Sequence, residues 1–338
     1  MYKRSSRKKK VLIKTTKINL TDICPPLLSQ GRIFMSGKLK YYIILHIIVL
    51  VWGFTGILGD LMTIPADKIT LLRTLIAFGS LLLLTPFIKK RKKLNLKQIL
   101  SLIGVGFIVG LHWYCFFQSI KSSNVSVGVV CMSSSTLFTS VLEPIVFKRK
   151  LSFSEVILSF AIIAGVTCIF GFATEYVEGI IYGLISAFFA ALFTVINGRF
   201  ISNITSFNIT KYEMLGGALI LFVIMLVGGK IDHSFFVLPS SDWLYLFILA
   251  IVCTTVAFMV SVWVMKFVTP FTVSMSVNME PIYTIIIALI IATYTGSTKE
   301  HMSFGFYFGA GIILIAIFIN AYIKKRKNKK LKLNHEMT

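Results

Sequence analysis

Phe117-Gln118-Ser119-Ile120-Lys121 closes one long apolar stretch, and 145 residues later Val262-Trp263-Val264-Met265-Lys266 closes another. The same offset lays Ser135-Thr136-Leu137-Phe138-Thr139 on Glu280-Pro281-Ile282-Tyr283-Thr284. After a small change of register, Lys150-Leu151-Ser152 and Ala164-Gly165 meet His301-Met302-Ser303 and Ala310-Gly311. A long internal repeat of this kind describes a duplicated unit and not a solenoid. It divides the chain into two repeats, 35–173 and 178–323, flanked by basic tails at 1–34 and 324–338. The first tail is polar, lacks periodicity and reads as disordered. Its Val11-Leu12-Ile13 is too short for the apolar region of a signal peptide. Met35, followed by Ser-Gly-Lys-Leu-Lys, offers a second point of translation initiation.

Composition says what the repeats are made of. Of 338 residues, 56% are hydrophobic and 14% charged, and the mean hydropathy is +0.83. Soluble domains carry about 25% charged residues, so an ordinary soluble enzyme, a disordered protein and a small disulfide scaffold are excluded. The five cysteines (24, 115, 131, 168 and 253) show no CxxC spacing and read as small apolar side chains. About 20 apolar residues cross a hydrocarbon core of ~30 Å. Ten segments meet that length: 41–62, 69–88, 99–120, 125–147, 153–173, 178–200, 211–229, 242–267, 271–293 and 304–323. The expected fold is an all-α membrane protein of ten transmembrane helices.

Charge sets the orientation. Thirty of the 35 Lys and Arg residues fall on the side of the two termini, and four (Lys68, Lys121, Lys230 and Lys299) on the other. By the positive-inside rule both termini are cytoplasmic, with the chain in the cell membrane. The net charge of +22 thus lies against an anionic leaflet, and no nucleic-acid partner is needed to explain it. Each repeat holds five spans, an odd number, so the second enters the membrane from the opposite side to the first. Inverted repeats around a midplane site are the architecture of many secondary transporters.

Particular residues carry a resemblance. Trp52-Gly53, then Arg73 and Ala77 one span later, resemble the opening of an EamA-type permease of the drug/metabolite transporter superfamily. Glu300-His301-Met302-Ser303 with Gly309-Ala310-Gly311 is similar to that family's Glu-Arg-Leu-Ser…Gly-Ala ending. Met279-Glu280-Pro281 matches its Leu-x-Pro in the ninth helix. The resemblance covers residues 40–325. Where the family pattern has Pro and Glu in the first half, this chain has Thr136 and Arg149, which puts fine specificity in doubt. The resemblance implies a ten-helix basket around a central cavity, lined chiefly by helices 1, 3, 4, 6, 8 and 9. It also implies movement of small metabolites, often amino acids or toxic compounds, usually outward.

Ionisable groups inside a span are costly and so are candidates for function. Counted at ~1.5 Å per residue, Asp60 lies about 28 Å along the first span and Arg73 about 6 Å into the second. Both fall near the outer face, where they are expected to form a structural ion pair. Glu143 falls at the inner edge, within reach of water. Glu280, about 14 Å into the ninth span, is the deepest carboxyl. Pro281 would leave a helix carbonyl unpaired beside it, and Asn278 and Tyr283 adjoin it. Ser135 occupies the repeat-related position on the fourth span. Glu280 can accept a proton, balance an ammonium group, or simply hydrogen-bond between helices. His112, Trp113 and Trp52 sit deep enough to wall a cavity or to pack between helices. Gly106/Gly110, Gly179/Gly183 and Gly305/Gly309 have the spacing that permits close helix packing.

The reading these features favour is a secondary exporter of small metabolites, working by alternating access and coupled to protons. Its expected partners are a small-molecule substrate, the lipid bilayer and protons, and its expected state is a monomer or homodimer. No Walker motif or metal-ligand spacing occurs, so neither cofactor nor metal is expected. An intramembrane enzyme or carrier for lipid-linked substrates is the alternative. Clustered acids or histidines would have marked the enzyme form. A membrane scaffold, the third class, would have no use for Glu280.

Overall fold

The computed structural model describes residues 34–88, 93–148, 176–232 and 235–295, with isolated positions between 157 and 165 and between 308 and 322. Every regular element among them is helical. In chain order these are α1 (Phe34–Leu61), α2 (Ala66–Leu84, extended by a short 3₁₀ turn), α3 (Leu96–Lys121), α4 (Val125–Met132) and α5 (Ser135–Phe147). After them come α6 (Val177–Phe200), α7 (Ser206–Val227), α8 (Ser240–Val264), α9 (Pro270–Val277) and α10 (Glu280–Thr295).

Seven helical stretches are long and apolar enough to cross a bilayer among the described residues. The expected fifth and tenth spans, 153–173 and 304–323, lie essentially outside them, as do Gly305, Gly309 and the tails at 1–33 and 324–338. The ninth span is present as α9 and α10, eight and sixteen residues long. The fourth and ninth spans are both interrupted: α4 gives way to α5 at Ser133-Ser134, and α9 to α10 at Asn278-Met279. The two interruptions stand 145 residues apart.

Their helix starts match as well. Asn124 caps α4 by accepting from the Val127 N–H at 2.9 Å, and Thr269, 145 positions on, caps α9 by accepting from Thr272 N–H at 3.2 Å. Pro270 follows the second cap in the first helical turn, where a missing N–H costs nothing. Pro281 likewise sits in the first turn of α10, so it does not kink a continuous helix as its position in the sequence suggested. The first repeat makes the same break with Thr136 in that place.

Close packing between the repeats depends on glycine. At the α3–α7 crossing, Gly106 and Gly110 face Gly216 and Gly217. A Cβ on Gly106 would fall on the Glu213 carbonyl, and one on Gly216 on the Ile103 carbonyl. The backbones therefore meet with nothing between them, as the glycine spacing allows. α3 also packs along α6, α2 along α7 and α8, and α10 against α4. Outward, Leu83, Phe87 and Val227 stay exposed, as residues facing acyl chains do.

One departure from α geometry was not foreseen. Leu249–Val256 of α8 is wound as a π-helix. There Thr254 and Thr255 return their hydroxyls to the carbonyls five residues back, Leu249 and Ala250, at 2.8 and 2.9 Å.

Candidate functional site

The π-helical stretch is where α1 and α2 attach. Trp52 of α1 donates its indole N–H to the Cys253 carbonyl at 3.1 Å. Arg73 of α2 donates its Nε–H to Thr254 Oγ1, and Ser80 meets Thr255 at 3.0 Å. Wider winding shifts carbonyls out of the regular ladder. Two aromatic faces hold the buried Arg73 cation: Trp113, with its ring centroid 4.0 Å from the guanidinium carbon, and Phe117 at 5.6 Å.

These contacts form one side of a cavity with about 740 Å³ of atom-free space, part of it open to the exterior. Its walls come from both repeats. Trp52, Arg73, His112, Trp113 and Ser135 come from the first; Phe193, Phe258 and Glu280 from the second. Apart from Arg73, Glu280, His112 and a few hydroxyls, the lining is aromatic and aliphatic, the usual make-up of a small-molecule site.

Glu280 is the first residue of α10 and is 5% exposed. It shares the cavity with Arg73 without forming an ion pair with it. Arg73 Nη1 is buried and has no hydrogen-bond partner. The expected pair between Arg73 and Asp60 is not formed. Asp60 is exposed at the end of α1, within electrostatic reach of Lys121, while Arg73 points inward to Thr254 and Trp113. Two things upset the depth count. α2 begins at Ala66, earlier than its apolar run, and a long guanidinium side chain carries its charge well away from its own Cα.

The other expected residues divide. His112 lines the cavity and is also a helix contact, its Nδ1 lying 2.8 Å from Ser186 Oγ and 3.0 Å from Ser186 O on α6. Trp52, Trp113 and Ser135 line it too. Asn278 does not. It is fully buried at the break and donates from Nδ2 to Thr136 Oγ1 at 2.9 Å, tying one break to the other. Tyr283 lies off the cavity as well, its hydroxyl 3.1 Å from His46 Nδ1. α10 can come this close to α1 because Gly53 has no side chain, and the Thr284 hydroxyl donates to the Gly53 carbonyl at 3.1 Å.

Glu143, expected to reach water, is buried and accepts the Phe271 N–H at 2.7 Å, which places its carboxyl on the first turn of α9. Sequence reasoning missed Thr254, Ser186, Phe193 and Phe258. For Thr254 a signal existed, since Thr254-Thr255 is a polar pair inside an oily run. The two phenylalanines look like any others in a lipid-facing helix. Among the described residues, no three His, Cys, Asp or Glu side chains gather in a group that could hold a metal.

A cavity walled by two repeats agrees with comparison to known proteins. The model of the EamA-like transporter family matches twice, at residues 39–171 and 177–322. The chain belongs to the EamA-like transporter family. The family chain is similar to two Bacillus subtilis (strain 168) proteins, each named an uncharacterized transporter. YxxF is 21% identical over 305 residues, covering 87% of this chain and 94% of its own. YdfC is 23% identical over 309 residues, covering 89% and 97%. A protein known from a crystal structure is 14% identical and superposes with a TM-score of 0.60 over 84% of this chain and 98% of its own. At that identity the likeness speaks for the fold alone. This EamA-like chain is thus a multi-pass membrane protein of a transporter family.

Proposed function

We propose that the chain is a secondary carrier that exports small metabolites such as amino acids or toxic compounds across the cell membrane. The observation that carries this reading is a cavity walled by residues of both family-matched segments, with Glu280 at the first turn of α10. In this reading ten spans form two inverted repeats, 35–173 and 178–323, with both termini cytoplasmic, and the carrier works as a monomer or homodimer. Rocking of the repeats exposes the cavity to each side in turn.

Glu280 is the proton acceptor of this scheme. Substrate and proton replace one another on it. An inward proton gradient then drives export. The titratable and charged groups around Glu280 are Arg73 of α2, His112 of α3 and Cys253 of α8. Ser135 lines the cavity, and Asn278 and Tyr283 brace its surroundings from outside it through Thr136 and His46.

Counterflow in proteoliposomes tests the reading. Vesicles loaded with pooled unlabelled metabolites should accumulate the labelled counterpart only when the protein is present. Glu280→Gln should abolish the pH dependence of flux while the protein still melts cooperatively. Unaltered pH dependence would remove Glu280 from the coupling role, and no saturable flux from any pool would remove the carrier reading.

A further inference from the structure

Away from the cavity, the α6–α7 hairpin buries a set of oxygens that the fold leaves without partners. Asn197, in the last turn of α6, donates from Nδ2 to Glu213 Oε2 on α7 at 3.1 Å. Asn197 Oδ1, Glu213 Oε1 and Thr210 Oγ1 are buried with no hydrogen-bond partner, and all three residues are 0% exposed. Thr210 and Glu213 are three residues apart and so share a face of α7. Among the described residues no ion pair reaches Glu213. Arg199 turns its guanidinium to the Val146 carbonyl, and Lys211 lies over the Phe207 and Tyr212 rings. On the other side α3 closes in, for a Cβ on Gly106 would fall on the Glu213 backbone. None of the three residues lines the cavity, although Thr194, one turn before Asn197, does.

We propose that Asn197, Thr210 and Glu213 form a binding site for one sodium ion, held by their amide, hydroxyl and carboxylate oxygens. The site is separate from the cavity and needs no assumption about what the cavity carries. Three buried acceptors left bare are costly, and a buried carboxylate without a counter-charge more so. A water molecule brings two protons for three acceptors and no charge. A proton on Glu213 cancels the charge but leaves at least two of the oxygens unserved. A hard cation takes oxygen ligands of all three kinds. One carboxylate balances a single positive charge, whereas a divalent ion would leave net charge buried within the membrane. The helices pressed together at Gly106 and Gly216 restrict the room, which favours sodium over the larger potassium ion. Bound there, the ion ties α6 to α7 and fixes the Thr194 wall of the cavity from behind.

The test uses the full-length protein in detergent, with sodium replacing choline at constant ionic strength. Sodium should raise the melting temperature saturably, by about 3 °C or more, because it binds the folded chain alone. Potassium should leave it near the choline value. Radiolabelled sodium should bind at one ion per chain. Glu213→Gln, which keeps the shape and removes the charge, should lose both the bound label and the sodium-dependent rise. Thr210→Val should raise the half-saturating sodium concentration roughly tenfold, as expected for one lost oxygen ligand. Should Glu213→Gln fail to fold, Thr210→Val decides the matter. Glu280→Gln, in the cavity, should retain the bound sodium. An equal rise with potassium would reduce the effect to ionic strength and overturn the inference. So would label that survives Glu213→Gln, or label lost with Glu280→Gln, which would put the ion in the cavity. A melting temperature that climbs as the pH falls and ignores sodium would assign Glu213 a proton in place of the ion. These readouts make no use of transport, so their failure leaves the carrier reading standing.

Discussion

Thr254 has two tasks: its hydroxyl receives Arg73 Nε–H and closes the π-helical turn onto Leu249. Thr254→Val keeps the shape and removes both. The cost should be about 1–3 kcal/mol, the penalty for leaving a buried donor unpaired, with loss of flux because Arg73 is no longer held. Thr255→Val, which loses the Ala250 carbonyl and the hydroxyl of half-buried Ser80 but leaves no charged group unheld, should cost less; thermal melting in detergent compares the two. The same contrast shows what the sequence could reveal at this scale. Glu280, His112, Trp113, Trp52 and Ser135 stood out because polar or amphipathic side chains deep in a span need a reason. Arg73 was noticed but misplaced, because a count along the helix locates a backbone and not the end of a flexible chain. Asn278 and Tyr283 were drawn toward Glu280 by proximity in sequence. The break between Asn278 and Glu280 is what turns Asn278 to Thr136 and leaves Tyr283 with His46.

Among the elements, the paired interruptions of α4/α5 and α9/α10 raise the question of what breaks a helix. Proline is the obvious agent in the second repeat, yet the first breaks at the same register with Thr136 in its place. Pro281→Ala should therefore leave the break and the cavity in place, with melting temperature and flux close to those of the native chain. A large loss of flux would instead make the proline its cause. Glycine at the α3–α7 crossing is not replaceable in this way. Gly106→Leu or Gly216→Leu has no room without parting two backbones, and neither protein should yield a cooperative melt. The seven spans seen among the described residues and the duplication were legible because each needs only length and self-similarity. The breaks were not, because Ser133-Ser134 and Asn278-Met279 are tolerable residues within a helix. Nor was the π-helix, whose five-residue hydrogen-bond step has no periodicity of its own in an all-apolar segment.

For the whole molecule, the topology makes a labelling prediction. Among the described residues Cys115, Cys131 and Cys253 are buried, so with Cys24 and Cys168 replaced by serine a membrane-impermeant maleimide should report mainly on introduced cysteines. Lys68→Cys and Lys230→Cys should react on intact cells, and Lys93→Cys and Lys148→Cys only after permeabilisation. The reverse pattern would invert the orientation drawn from the basic residues. Lys230 pairs with Asp67 at 2.6 Å, so Lys230→Cys also frees one connection at that end of the molecule and should modestly raise its opening rate. The interrupted helices bear on motion in another way. At ~1.5 Å per residue, α4 and α9 each rise about 12 Å, well short of the ~30 Å hydrocarbon layer. Their broken ends therefore lie at a depth where exposed backbone meets only lipid, which cannot hydrogen-bond it. Ser133, Ser134 and Asn278 are accordingly almost fully enclosed by protein, and they have to remain so at every stage of transport. In the proposed rocking scheme the region around both breaks acts as a fulcrum that stays shut, with the gates for solute beyond it, toward either end of the lever.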